Sequence, residues 1–202
     1  MEQQMDRELM QRVELIEQML AEGRRTTQYY GWIYLLWGVG HITALAIVWA
    51  TRNPMLAWGT TMTACGIITG IVFGCARRRQ VKTTTIALAI GAVWWAIGIS
   101  LCIVGFLGMF SHNFGPVAMH AMPVFTLLLL GVANFTSAVI LRWPLQLAIA
   151  LFFWVAATAM FYLPFKAAFW DYAVAMLIGN VLFGLYLMVL ENRQNRLGRR
   201  DT

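Results

Sequence analysis

Polar and apolar positions alternate on two length scales along this chain, and the change between them falls near residue 28. From residue 5 to 22, "MDRELMQRVELIEQMLAE", Leu9, Val13, Ile16 and Leu20 recur at spacings of four, three and four. That period is one apolar stripe of an amphipathic helix, with Gly23 as its expected stop. Beyond residue 28 the pattern becomes six unbroken apolar runs, at roughly 29–50, 55–76, 84–107, 123–142, 144–164 and 169–190. Each is long enough to cross the ~30 Å hydrocarbon layer as a helix. Unpaired backbone amides are too costly in hydrocarbon for any irregular alternative, and continuous hydrophobicity excludes the alternating strands of a barrel. The expected fold class is therefore all-α: an integral membrane bundle of six transmembrane helices preceded by an amphipathic helix. Three segments follow, with the amphipathic helix and a basic juxtamembrane stretch over 1–28, the bundle over 29–190 and a basic tail over 191–202.

Composition sharpens this picture. Of 202 residues 60% are hydrophobic and 12% charged, whereas soluble domains are about a quarter charged. Orientation follows from the basic residues. Arg7, Arg12, Arg24 and Arg25 precede the first run, Arg77, Arg78, Arg79 and Lys82 separate the second from the third, Arg142 separates the fourth from the fifth, and Arg193, Arg196, Arg199 and Arg200 follow the sixth. Only Arg52 and Lys166 fall on the other side. Basic residues of short loops stay cytoplasmic, so both termini are expected there. The net charge of +6 is thereby a topology and headgroup signal, and no nucleic-acid partner is expected. The first apolar run is too long for a cleavable leader and is expected to serve as its own insertion signal.

The amphipathic segment has the opposite sign. Glu2, Asp6, Glu8, Glu14, Glu17 and Glu22 stand against Arg7 and Arg12, six acids to two bases, a net of −4. Surface-lying membrane helices are usually basic, so two other partners fit better. The helix either folds back over the basic inner loops of its own bundle or offers its stripe to another helix.

Glu22-Gly23-Arg24-Arg25-Thr26-Thr27, following an acidic amphipathic helix and leading through Tyr29, Tyr30 and Trp32 into a Trp- and Gly-rich span, resembles a group of uncharacterised bacterial multi-span membrane proteins. The resemblance covers about the first fifth of the chain, carries no functional residue, and implies a bacterial inner-membrane setting.

Within the runs, Gly66, Gly70 and Gly74 form two GxxxG steps, and Gly91, Gly98 and Gly105 recur every seven residues. Such faces let helix backbones approach, here with spans two and three expected to pack on each other and a homodimer seam as the alternative. Enzyme signatures are missing: the three cysteines, Cys65, Cys75 and Cys102, have no CxxC spacing, and Asp171 is the one acid in any span. No catalytic residue, cofactor or haem ligation is expected, and the chain reads as a non-enzyme.

Two polar groupings remain. "GMFSHNFGPVAMHAMP" brings Met109, His112, Met119, His120 and Met122 within fourteen residues, a thioether and imidazole set of the kind Cu(I) favours. Ordinary interfacial residues are the competing explanation. Inside the spans, "GVGHITALAI" from Gly38 matches "GVANFTSAVI" from Gly131 at four of ten positions, and "RNP" at Arg52 is echoed by "RWP" at Arg142. Two three-span halves would be inverted, a plan whose site lies at the midplane. His41 then aligns with Asn134, and Asn180 is similarly deep. With Trp37, Trp94, Trp95 and Trp154 these residues are the candidate lining of a small-solute site. Six spans in so short a chain are also similar to the substrate-binding subunits of energy-coupling vitamin transporters, in size and span count only. Two functions compete: an interaction protein docking through its N-terminal helix, and a small-solute binding or transport subunit.

Overall fold

The computed structural model describes residues 2–77, 85–110 and 115–198, and every element among them is helical. In chain order these are α1 (Glu2–Tyr29), α2 (Gly31–Thr51), α3 (Pro54–Arg77), α4 (Thr85–Phe110), α5 (Gly115–Leu141), α6 (Pro144–Tyr162), α7 (Phe165–Met176), a π-helical turn (Leu177–Leu182) and α8 (Phe183–Gly198). Six helical stretches are long and apolar enough to cross a membrane, the last made of α7, the π turn and α8 together. This is a multi-pass membrane architecture.

The corners explain how the runs are divided. Proline opens α3 and α6, where its missing N–H is no loss, and in both cases an arginine two residues earlier takes the left-handed conformation, Arg52 at φ 55° and Arg142 at φ 50°. At the first corner the Arg52 N–H bonds the Val48 carbonyl at 2.9 Å. At the second, Trp143 N–H reaches Ala138 O at 2.9 Å and Arg142 N–H reaches Val139 O at 3.4 Å. That pair of bonds is a Schellman closure with arginine where glycine is usual. Asn53 Oδ1 then caps α3 by accepting from Leu56 N–H at 3.0 Å.

Packing centres on α2, α5, α6 and the last span. Leu127, Phe153, Ala157, Met160, Tyr172, Ala175 and Met176 are buried in one core to which α2 adds Leu45. Glycine sets the closest approach: Gly31 and Gly184 bring the α2 and α8 backbones together, and a Cβ at Gly38 would stand 2.8 Å from Asn180 Cβ and 3.0 Å from Val181 N. The expected glycine faces do something else. Around Gly66, Gly70, Gly74, Gly91, Gly98 and Gly105 nothing lies within 4 Å of a Cβ. Packing of spans two and three on each other is therefore overturned: α3 leans on α2, α4 leans on α5, and both are the least buried of the six. The cause is connectivity in space, since the core is closed by the last span and leaves α3 and α4 outside it.

Gly23 is not the expected stop. α1 runs on to Tyr29, and Gly23 is in its interior, where a Cβ would meet Leu141 Cδ2 at 2.8 Å and Ile86 Cγ2 at 2.9 Å. The helix passes so close to the start of α4 and the end of α5 that any side chain here would have to displace Leu141 and Ile86.

Candidate functional site

His41 is buried on the inward face of α2, as a deep imidazole requires. Its Nδ1 bonds the Trp37 carbonyl one turn back at 2.7 Å, and its ring has Trp58 at 5.6 Å, Tyr172 at 6.0 Å and Trp37 at 6.3 Å between centroids. A buried imidazole at this depth can be satisfied by an asparagine of a facing helix, Asn134 or Asn180, or by a nearby threonine or backbone carbonyl; here the partner is a carbonyl of its own helix. Each asparagine is engaged elsewhere: Asn134 Nδ2 donates to Leu130 O at 2.9 Å, and Asn180 Nδ2 donates to Met176 Sδ at 3.0 Å. Helix α2 carries His41 and faces the π turn through Gly38, so Asn180 packs against Gly38 instead of receiving the imidazole.

Asn134 belongs to a polar chain that sequence reasoning did not include. Gln146 Nε2 donates to the Tyr34 hydroxyl at 3.2 Å and to Asn134 Oδ1 at 3.5 Å, linking α2, α5 and α6 across the bundle. Gln146 and Asn134 are wholly buried, and Gln146 Oε1 has no hydrogen-bond partner. Beside them Trp94 Nε1 donates to Ser137 Oγ at 3.2 Å, and the Tyr34 and Trp94 rings meet edge to face at 5.2 Å. The signal for Gln146 was its place two residues after Pro144, inside the first turn of a span. Tyr34 was hidden by the aromatic belt around it.

The tryptophans divide. Trp37 Nε1 bonds Thr69 Oγ1 at 3.2 Å, and Trp154 Nε1 bonds Leu128 O at 3.2 Å with its indole seated on Gly131. Trp95 is 64% exposed on the outer face of α4 and lines nothing in the bundle. Its neighbour Trp94 turns inward because successive helix positions are about 100° apart. Most hydroxyls in the spans are also spoken for by the carbonyl four residues back, as Thr69, Thr126 and Thr158 are.

Of the metal candidates, His112 lies outside the described residues, as do the side chains of Met109, Met119 and His120. Met122 is half-buried in α5. Among the described residues no three His, Cys, Asp or Glu side chains gather as a metal site would need. Asp171 is half-buried, with its Oδ2 enclosed and unpartnered. A recess of about 400 Å³ opens beside the start of α3, lined by Asn53, Met55, Leu56, Gly59 and Thr60, and none of the deep polar residues lines it.

The second candidate site is α1. Arg24 Nε donates to Leu141 O at 2.8 Å and its Nη2 to Arg142 O at 3.1 Å, so a guanidinium closes the negative end of α5. Thr27 and Gln28 are buried alongside. Above this seat the helix is bare: Leu9, Val13 and Ile16 are 54–56% exposed, and every residue from 5 to 18 is exposed. Folding of the stripe back over the bundle is not observed among the described residues. Comparison with protein-family models, with curated proteins and with solved structures finds no match.

Proposed function

We propose that this chain is a non-enzymatic integral membrane protein that works through protein interaction, with the acidic N-terminal helix as its docking element. One observation carries the reading: α1 is helical throughout, seated at its base by Gly23 and Arg24, and its apolar stripe at Leu9, Val13 and Ile16 has no cover among the described residues. An uncovered apolar stripe on an anchored helix is the geometry by which one helix recruits another. The distribution of basic residues supports placing both termini in the cytoplasm, and the Glu22 to Thr27 resemblance favours a bacterial inner membrane. Cysteines introduced singly at Thr83 and Asn113 should label from opposite sides of sealed vesicles. The docking test is deletion of residues 1–22, which should leave the bundle inserted with an unchanged unfolding temperature. Unfolding of the six-span core on that deletion would make α1 a structural brace and remove the proposal.

A second reading, a small-solute binding or transport subunit built as a 3+3 inverted repeat, is favoured by the matched corners. Arg52-Asn53-Pro54 and Arg142-Trp143-Pro144 share a left-handed arginine and a helix-opening proline. The pairing repeats in part, since α2 packs on α3 and on the last span while α5 packs on α6 and on α4, although α6 also packs on α7 and α3 has no such packing on α4 among the described residues. Its site would need the buried His41, Asn134 and Asn180, each of which already has a partner of its own. That is why it ranks second.

A further inference from the structure

The charges flanking the stripe narrow what α1 takes. At 3.6 residues per turn, Leu9, Val13, Ile16 and Leu20 fall within an arc of about 60°. Asp6 and Glu17 border that arc on one side, both exposed, with Glu14 and Arg7 next to each other farther round, so no lysine or arginine from residue 2 to 22 stands at that border itself. Arg12 and Glu8 share the other border and offset each other. The stripe also lies in line with Gly23 and Thr27, the positions that face the bundle. An occupant would therefore lie along α1 just above the inner ends of α4 and α5. From Leu9 to Leu20 the stripe rises about 16 Å, room for a partner helix of three to four turns.

Resting on the docking reading above, we infer that the occupant is a basic amphipathic helix of a separate protein, its apolar stripe laid on Leu9, Val13, Ile16 and Leu20 and its lysines or arginines against Asp6 and Glu17. Charge complementarity decides among occupants. A second copy would set one −4 helix against another within a Debye length of roughly 10 Å. An anionic bilayer repels the same face. A basic helix gains on both counts, since apolar contact supplies affinity and the acidic border supplies selection and register. Asp6 and Glu17 are eleven residues apart, three turns, so the complementary bases would recur at the same interval. Because Gly23 and Arg24 hold the base of α1, the helix is ordered before its partner arrives, which lowers the cost of association.

The test uses the full chain in nanodiscs of zwitterionic lipid and three fluorescent peptides of eighteen residues: a lysine-bordered helix with a Leu/Ile stripe, its glutamate-bordered counterpart, and a scrambled lysine peptide without a stripe. Anisotropy should show the first binding at least about tenfold more tightly than the other two. Added salt should weaken it, and Asp6→Lys with Glu17→Lys should transfer the preference to the glutamate peptide. These changes are on exposed positions, and an unaltered thermal unfolding profile shows that the bundle is intact. Equal binding of the lysine- and glutamate-bordered peptides refutes the basic partner while leaving α1 a docking helix. Equal binding of the scrambled peptide refutes the stripe as the contact. A disulfide forming between copies carrying Val13→Cys, with no peptide bound, makes the occupant a second copy. Peptide binding that survives deletion of residues 1–22 overturns the docking reading itself.

Discussion

Two glycines of the same residue type, Gly38 in α2 and Gly70 in α3, should respond to alanine with opposite signs. At Gly38 the new methyl meets Asn180 Cβ and Val181 Cγ2 at 2.8 Å and the Val181 backbone nitrogen at 3.0 Å. A side-chain tip can swing aside, but a backbone nitrogen inside a packed span cannot, so α2 and the last span must part. Overpacking of this kind costs about 1–3 kcal/mol, against which alanine's helix preference returns at most about 1 kcal/mol. At Gly70 nothing lies within 4 Å of the new methyl, so only the helix preference acts. The two variants should differ by roughly 2 kcal/mol, about thirty-fold in the ratio of folded to unfolded protein. Reversible unfolding in mixed micelles, followed by tryptophan fluorescence, reads that ratio. Gly38→Ala proving as stable as Gly70→Ala would refute the close approach of α2 to the π turn. A Gly70→Ala variant that lost stability would instead show that the open face of α3 is covered by another chain in the membrane.

Arg24→Ala removes both bonds to the α5–α6 corner and should release α1 from its seat. A part-buried charged donor contributes about 1–2 kcal/mol, and protease cleavage after Arg25 should accelerate about ten-fold or more while the spans stay intact. Tyr34→Phe deprives Gln146 Nε2 of its nearer acceptor yet keeps the ring against Trp94 and Phe183. It should cost about 1 kcal/mol by the same unfolding measurement, and a neutral result would mean that the hydroxyl does not organise the three helices. Titration with Cu(I) should show no stoichiometric binding, or binding that disappears when His112 and His120 are both replaced by alanine. Binding retained in that double variant would place the metal elsewhere.

The spans were legible because membrane insertion is read along one dimension: a run long enough, with proline or arginine at its ends, is a helix wherever it lies in the bundle. Burial of His41 followed from the same cost argument. Rotation and neighbours were not legible, because hydropathy assigns Trp94 and Trp95 the same value although one bonds Ser137 and the other is 64% exposed. The same limit applies to glycine. Gly70 sits in a better GxxxG pattern than Gly38, yet Gly38 is the one pressed against a neighbouring backbone. Which glycine matters is fixed by the way the last span returns to α2, a long-range pairing with no local signature. For α1 the period gave the stripe correctly, and the extent of the helix was misjudged because Gly23 serves packing rather than termination.

The bonds from Arg24 to Leu141 and Arg142 join positions 117 and 118 residues apart. At a synthesis rate of about 5–20 residues per second, the guanidinium is made roughly 6 to 23 s before its acceptors exist. During that interval the first four spans, α2 to α5, are made while the amphipathic helix has no corner to close upon. Its final pose therefore becomes available only once α5 has been delivered, so the posture of the N-terminus reports how far the rest of the chain has been built.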